Sequence, residues 1–447
     1  MKTPQLSRRQ AIGAALATTC LPADMLGWQA RSGMPSPKIK DVQVIATAPA
    51  GLRLVVVKIV TDQDGLYGYG CATYTQRADL VVEAVKRYLR PFLLGKPADR
   101  IDDTWQACYN SSYWRNSPVL NNAISGVDQA LWDIKGRQAG MPVYQILGGK
   151  NREAVDTYRH AAGAEISECI DQAKRLVAEG QRHVRIQVGT PGQAAYGAGR
   201  GAAADATGRL HNGPMYEPQA YIKRTLQLFE AARKELGPDV ELLHDTHERI
   251  HPTQALQMGK DIEQFRLFFW EDPVSPEDVA WFRRIRQQTS TPLAMGELFT
   301  HPLEWMDLVS ERLIDFIRVH LSMIGGLTPA RKLAALCEAF NVRTAWHGPG
   351  DVSPIGHACN ASLDLVIPNF GIQEYSAFNE RVREVFSGVP ELRNGYIYVS
   401  EKPGWGIEVD EKAAAKYPFG SGEQGERKEL NGGWGAVRRR DGTIIKQ

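Results

Sequence analysis

A parallel β/α barrel preceded by a small α+β domain is the architecture predicted by this chain of 447 residues. Three observations predict it. Between Val155 and about Gln373, short apolar runs alternate with amphipathic ones, the rhythm of strand and covering helix, roughly eight times over. Ahead of that stretch, Ile39 to Thr73 reads as strands and Ser117 to Ala139 as a long helix. No G-x-G-x-x-G follows the first strands of the repeat, which removes the main argument for a doubly wound dinucleotide-binding sheet.

Taken in order, the first thirty residues differ from the rest. Ser7-Arg8-Arg9-Gln10-Ala11-Ile12 leads into the small apolar run Gly13-Ala14-Ala15-Leu16-Ala17 and then Leu21-Pro22-Ala23. A charged start, a short apolar run and small residues form the pattern of a signal peptide, and the paired arginines are similar to the twin-arginine export signal. Residues 1–30 are therefore expected to direct export to the periplasm; without such a signal the chain would be cytoplasmic. The run is too short for stable membrane insertion, and no later segment is long and apolar enough to span a bilayer. Next, Leu52-Arg53-Leu54-Val55-Val56-Val57-Lys58-Ile59-Val60 predicts a strand turning at Asp64-Gly65. Val119, Ile124, Val127, Ala130, Leu131 and Ile134 recur at helical spacing, and this small domain ends near Gly149. The predicted barrel strands are 155–158, 183–188, 240–244, 265–270, 292–296, 316–319, 342–346 and a short one near Phe370. The Gly- and Ala-rich stretch from Gly189 to Pro218 interrupts the rhythm directly after the second of them. Loops after barrel strands build the catalytic face, so this insertion is expected to be an active-site lid.

Composition narrows the function. Lys and Arg number 53 against 51 Asp and Glu, a net charge of +2, and that excess lies in residues 1–30, where Lys2, Arg8 and Arg9 face only Asp24. A nucleic-acid partner is excluded, because phosphate recognition needs a concentrated basic surface. The six cysteines have no C-x-x-C pair, so neither a zinc site nor a disulfide framework is predicted. All ten histidines lie between His160 and His357, inside the predicted barrel.

Three acids end three successive predicted strands: Asp245 after Leu242-Leu243-His244, Glu271 after Phe268-Phe269-Trp270, and Glu297 after Ala294-Met295-Gly296. They are spaced by one β/α unit each, which sets three carboxylates side by side at the carboxyl ends of adjacent strands. Unpaired, they would raise one another's pKa; around a hard divalent cation they become ligands. All-oxygen donors favour Mg²⁺, with Mn²⁺ the alternative, over zinc. His247 lies two residues past Asp245, so on an extended backbone its imidazole falls on the metal's side, the place for an acid/base catalyst.

With these residues the chain resembles the enolase superfamily, and within it the mannonate dehydratase group. The matching stretches are Ala130-Leu131-Trp132-Asp133-Ile134-Lys135, His183-Val184-Arg185-Ile186-Gln187, Asp245-Thr246-His247, Trp270-Glu271-Asp272-Pro273, Gly296-Glu297, Ile317-Arg318-Val319-His320 and His347-Gly348-Pro349-Gly350-Asp351. The resemblance implies an enolase-type modified TIM barrel over residues 151–400, an N-terminal α+β capping domain over 37–150, and a segment from 401 to 447 packing back on that cap. It implies Mg²⁺ on Asp245, Glu271 and Glu297, a sugar acid as substrate and a symmetric homo-oligomer. Where lysine-base members carry Lys-x-Lys, this chain has Arg185-Ile186-Gln187. A guanidinium is a poor base but can lower a phenol's pKa, and the resemblance sets Tyr196 against Arg185. Tyr196 and His247 would divide the proton transfers, in either order.

The implied substrate pocket is Thr75, His160, Arg318, His347, Asp351 and Glu374. His320 stands where racemase-type members carry an aspartate, so His347 is read as a substrate ligand. Thr75 replaces the group's usual Asn, the C-terminal Trp has no counterpart, and Pro349 is similar to gluconate-leaning members. The expected activity is dehydration of D-mannonate or D-gluconate to the 2-keto-3-deoxy acid: a C2 proton leaves, the metal stabilises the enediolate and the 3-hydroxyl departs. The alternative is a weakly active or non-catalytic sugar-acid sensor of the same fold. A barrel hydrolase is disfavoured, since no His-x-His follows the first barrel strand.

Overall fold

The structure is a computed structural model that describes residues 35–190, 192–195, 215–420, 437–439 and 441–445. Residues 1–30, expected to direct export, most of the insertion after the second barrel strand and Tyr196 lie outside these residues. So do 421–436 and the last two residues.

The N-terminal part is a three-stranded antiparallel sheet, β1 (Ile39–Thr47), β2 (Leu54–Thr61) and β3 (Tyr67–Cys71), backed by helices. The longest, α1 (Pro118–Ala139), starts where Ser117 Oγ accepts the Leu120 N–H at 3.2 Å and Pro118 supplies a pre-set φ. It ends at Gly140 in the left-handed region. The seat of α1 on β3 requires glycine: a Cβ on Gly70 would stand 2.0 Å from the Gly126 carbonyl oxygen.

Eight parallel strands follow: β4 (Val155–Gly163), β5 (His183–Val188), β6 (Glu241–Asp245), β7 (Phe269–Glu271), β8 (Leu293–Met295), β9 (Phe316–Ile317), β10 (Arg343–Thr344) and β11 (Gln373–Glu374). Each pairs with the next from β4 to β10, β11 pairs with β4, and a bridge from Thr344 to Phe370 closes the ring. The sheet therefore has no open edge at this level, and the helices cover its outer face. Most boundaries differ from the expected ones, the sixth and seventh strands being shorter at Phe316–Ile317 and Arg343–Thr344, and three differences are larger or bear on the site. The first strand runs on to Gly163 and so takes in His160. The fourth starts at Phe269, because Glu263–Phe265 forms a 3-10 turn closed by Arg266 at φ 49°. The eighth lies at 373–374, with Phe370 making only a bridge.

Inside the barrel, Tyr158, Leu243, Phe269, Ala294, Phe316, Ala345 and Ile372 form one buried apolar layer, five of them from strands, with Ala345 just after β10 and Ile372 just before β11. Since side chains alternate along a strand, the residues two further on face the same interior, one layer nearer the carboxyl ends. Those residues are His160, Asp245, Glu271, Gly296, Arg318, His347 and Glu374. A hydrophobic plug thus carries a polar layer on its upper surface.

The cap and barrel are joined by buried polar contacts. Asp128 Oδ2 on α1 accepts the Thr328 N–H at 2.9 Å, at the start of α2 (Leu327–Ala339) in the barrel. Trp105 Nε1 donates to the Gly325 carbonyl at 2.9 Å. The chain beyond the barrel returns to the cap: Trp405 donates its backbone N–H to Asp133 Oδ1 at 2.8 Å and its indole N–H to the Tyr69 carbonyl at 3.1 Å.

Candidate active site and metal centre

Asp245 and Glu271 are direct partners across β6 and β7, which brings their side chains together. Ala294 on β8 belongs to the apolar layer below, so side-chain alternation makes Gly296, not Glu297, the interior-facing position level with the two acids. Glu297 stands one residue nearer the mouth and turns toward histidines: its Oε1 lies 3.3 Å from His247 Nε2 and its Oε2 3.3 Å from His347 Nε2. Asp272 adds a carboxylate that strand-end spacing does not single out. Single ligand oxygens of Asp245, Glu271 and Asp272 all lie within 4.8 Å of one another. A residue adjacent to Glu271 would ordinarily point to the opposite face of a strand. At Asp272 the backbone instead takes φ 40°, outside the extended region. His247 and Glu248, at φ 54° and 63°, depart in the same way just past β6. Such conformations in residues with a Cβ concentrate where function requires a particular side-chain direction.

The electrostatics of these acids fit a divalent cation. Asp245, Glu271 and Asp272 are all buried. Burial raises the Asp272 carboxyl well above the usual carboxylate range, and Glu297, Glu271, Asp245 and Glu248 raise it further. Glu271 is also raised, by burial first, although Arg318 and Arg185 oppose it. Among the described residues Asp245 Oδ2 and Asp272 Oδ1 accept no hydrogen bond, and Arg185 Nη1 stands 3.5 Å from the first of them. Buried carboxylate oxygens with no donor, set among other anions, form a hard oxygen donor set.

Two buried guanidiniums border the cluster. Arg318 donates from Nε to Glu271 Oε1 at 2.5 Å and from Nη2 to Glu374 Oε2 at 3.0 Å. Arg185 donates from Nη1 to Glu271 Oε2 at 3.1 Å and reaches His160 Nδ1 with Nη2 at 3.4 Å. His160 Nε2 in turn lies 2.6 Å from Glu374 Oε1. Although burial raises it, Arg318, His347, Arg185 and a hydrogen bond from His160 hold the Glu374 carboxyl well below the usual range. Glu297 is likewise held low against burial, by His347, His247 and Arg318. Glu297 and Glu374 are thus held as anions, while burial and neighbouring acids keep Asp272 and Glu271 raised, the latter although both guanidiniums donate to it.

Of the residues singled out from sequence, Arg185, His160, Asp245, Glu271, Glu297, Arg318, His347, Glu374 and His247 form one network. The His247 N–H closes onto Asp245 Oδ1 at 2.6 Å. Asp351 stands in the field of His347, Glu374 and Glu297, and burial raises its pKa. Thr75 begins a 3-10 turn in the cap and, among the described residues, shares no hydrogen bond or ion pair with the network. Tyr196 lies outside the described residues; its neighbour Ala195 accepts a hydrogen bond from Arg249 Nη1 at 3.0 Å. Asp272 could have been found from sequence only by admitting a left-handed residue after the strand.

Fold and polar layer together define the class: an enolase-type protein with a capping domain and a barrel. Residues 32–148 match the mandelate racemase / muconate lactonizing enzyme N-terminal domain, and 168–413 match the enolase C-terminal domain-like family. The chain is 49% identical over 425 residues to D-galactonate dehydratase family member RspA of Pantoea ananatis (strain LMG 20103), covering 91% of this chain and 98% of the relative. It is 48% identical over 424 residues to family member SEN1436 of Salmonella enteritidis PT4, covering 92% and 98%. A crystal structure of an enolase from Pantoea ananatis with bound D-gluconate and Mg superposes with a TM-score of 0.84 at 48% identity, covering 92% of this chain and all of that one. The chain belongs to the D-galactonate dehydratase family of the enolase superfamily.

Proposed function

We propose that the protein is a Mg²⁺-dependent acid-sugar dehydratase acting on D-gluconate or D-mannonate. The observation that carries the reading is the polar layer: under-compensated buried carboxylates on one side, and Arg318, His160, His347 and Glu374 on the other. The related structure with D-gluconate and Mg supports the same ligand pair. Asp245 and Glu271 would hold the cation, with Asp272 beside them and Glu297 on the mouth side. When bound, the cation supplies Lewis-acid stabilisation of the negative charge that develops on the substrate carboxylate as the C2 proton leaves.

The chain's own residues do the rest. Arg318, clamped between Glu271 and Glu374, presents a fixed cationic edge for a carboxylate or hydroxyl oxygen. Glu374, held anionic, accepts hydroxyl hydrogens, and His160 and His347 flank it. His247 is placed to protonate the departing 3-hydroxyl, with Glu297 opposite its Nε2. Arg185 remains protonated and cannot itself take the C2 proton; in this reading Tyr196 takes it, with Arg185 favouring the phenolate. The two proton-transfer roles could be exchanged without altering the overall reaction.

The deciding experiment incubates purified protein with D-gluconate, D-mannonate and D-galactonate plus Mg²⁺ and assays 2-keto acid. Product formation abolished by chelator is expected; turnover indifferent to chelator would overturn the metal reading. Binding of the sugar acids without product would instead mark a sensor. We also propose export through residues 1–30 and a homo-oligomeric state. Loss of periplasmic enzyme in an Arg8→Lys, Arg9→Lys double variant tests the first, and light scattering tests the second.

A further inference from the structure

His320 and His347 follow neighbouring strands β9 and β10, and their Nδ1 atoms are 2.9 Å apart. Two bare nitrogens at that distance would repel and two N–H groups would clash, so one hydrogen lies between them. Hydrogen-bond accounting decides which ring supplies it. His347 Nε2 stands 3.3 Å from Glu297 Oε2 and 4.0 Å from Glu374 Oε2, two acceptors for a hydrogen on that nitrogen. His320 is buried, and its Nε2 has no hydrogen-bond partner among the described residues. Were His347 the donor at the shared contact, His320's own hydrogen would sit on that Nε2, a buried donor with no acceptor. Were His320 the donor, Nε2 would be a bare lone pair. Orphaned buried N–H groups are the rarer and costlier defect.

We infer that His320 donates its Nδ1–H to His347 Nδ1 and is a positioning residue that holds His347 as an Nε2–H hydrogen-bond donor. A carboxylate in that place would accept from Nδ1 and leave Nε2 bare, the form a general base needs; an imidazole donor imposes the opposite tautomer. His347 is thereby committed to binding rather than to proton abstraction. The backbone of His347 is fixed as well, by Val319 through its N–H at 3.2 Å and by Asn360 at its carbonyl at 3.3 Å. Only the ring's hydrogen is left for a neighbour to choose. The inference rests on the acid-sugar reading solely for what Nε2–H meets, a substrate oxygen.

The test uses full-length protein with Mg²⁺ and the variants His320→Asn, His320→Asp and His320→Leu, each checked for folding by circular dichroism. Nitrogen-15 histidine spectra, with the His347 signals assigned by their loss in His347→Gln, distinguish protonated from bare ring nitrogens. Wild type and His320→Asn, whose amide can donate, are expected to show His347 protonated at Nε2, and His320→Asp to move the proton to Nδ1. D-gluconate binding is expected to weaken about tenfold in His320→Leu and His320→Asp, the loss of one hydrogen bond, and to recover within about threefold in His320→Asn. A wild-type spectrum with His347 protonated at Nδ1, or equal weakening in all three variants, would overturn the inference. Failure of the wild type to bind any sugar acid, with the spectra as expected, would overturn the acid-sugar reading and leave the positioning role standing.

Discussion

Glu271 is the residue on which the charge of the site converges, with Arg318 on one oxygen and Arg185 on the other. Removing one member of such a buried set leaves the rest uncompensated. Arg318→Met is accordingly expected to destabilise the protein by about 3–5 kcal/mol in urea unfolding, because Glu271 and Glu374 both lose their closest cation. His247→Asn is the informative catalytic change. Asparagine tolerates the left-handed backbone that His247 occupies, so the loop and its N–H to Asp245 are retained. Dehydration is expected to fall by about 10²–10⁴-fold, the usual contribution of a general acid or base, with Mg²⁺ affinity by calorimetry unchanged. A parallel loss of Mg²⁺ binding would instead show that the imidazole serves the metal centre.

At the scale of elements, the join between α1 and α2 is the contact with a measurable pH signature. Asp128 is buried in the cap, and its carboxylate receives the N–H of Thr328 in the first turn of the barrel helix. Burial outweighs the hydrogen bonds from Thr328 and Leu327 and pushes its pKa up to about 7. The unfolded chain would have about 3.9. The folded state therefore binds the proton more tightly, and the stability this contributes is complete below about pH 4 and lost as pH rises toward 7. Asp128→Asn keeps an acceptor for the Thr328 N–H and removes the titration. The difference in melting temperature between variant and wild type is expected to move in the variant's favour from about pH 4 to about pH 7. A flat difference would mean that Asp128 is not the titrating group.

For the whole molecule, metal binding and the stability of the fold should be linked, because β6 and β7 carry Asp245 and Glu271, the proposed ligands, and also belong to the closed ring. A ligand that binds only the folded state stabilises it by mass action, about 2.7 kcal/mol at a concentration one hundred times its Kd. Mg²⁺ is therefore expected to raise the melting temperature, and excess chelator to reverse the rise. Glu271→Gln should remove the response. A rise that persists in Glu271→Gln would place the bound ion elsewhere. The segment around Trp405, held to Asp133 and Tyr69 of the cap, extends the same cooperative unit from the end of the barrel back to the first domain.

By itself the sequence determined the alternation of strand and helix, the cap ahead of it and the two acids that stand level in the barrel, since all of these are written in periodicity and spacing. Asp245 and Glu271 were legible because they end apolar strands one β/α unit apart. So were Arg318, His347 and Glu374, whose place follows from their strands and from family resemblance. Tertiary structure alone decided the rest. Even spacing put Glu297 in line with the other acids, but side-chain alternation from Ala294 sets Gly296 at that level and Glu297 nearer the histidines. Asp272 was invisible because side-chain alternation assigns it to the wrong face, and only its left-handed backbone brings it round. The pairing of His320 with His347 depends on two strands meeting from positions 27 residues apart. The physical reason is common to all three: spacing along a chain reports which element a residue ends, whereas register and local φ decide which atoms meet.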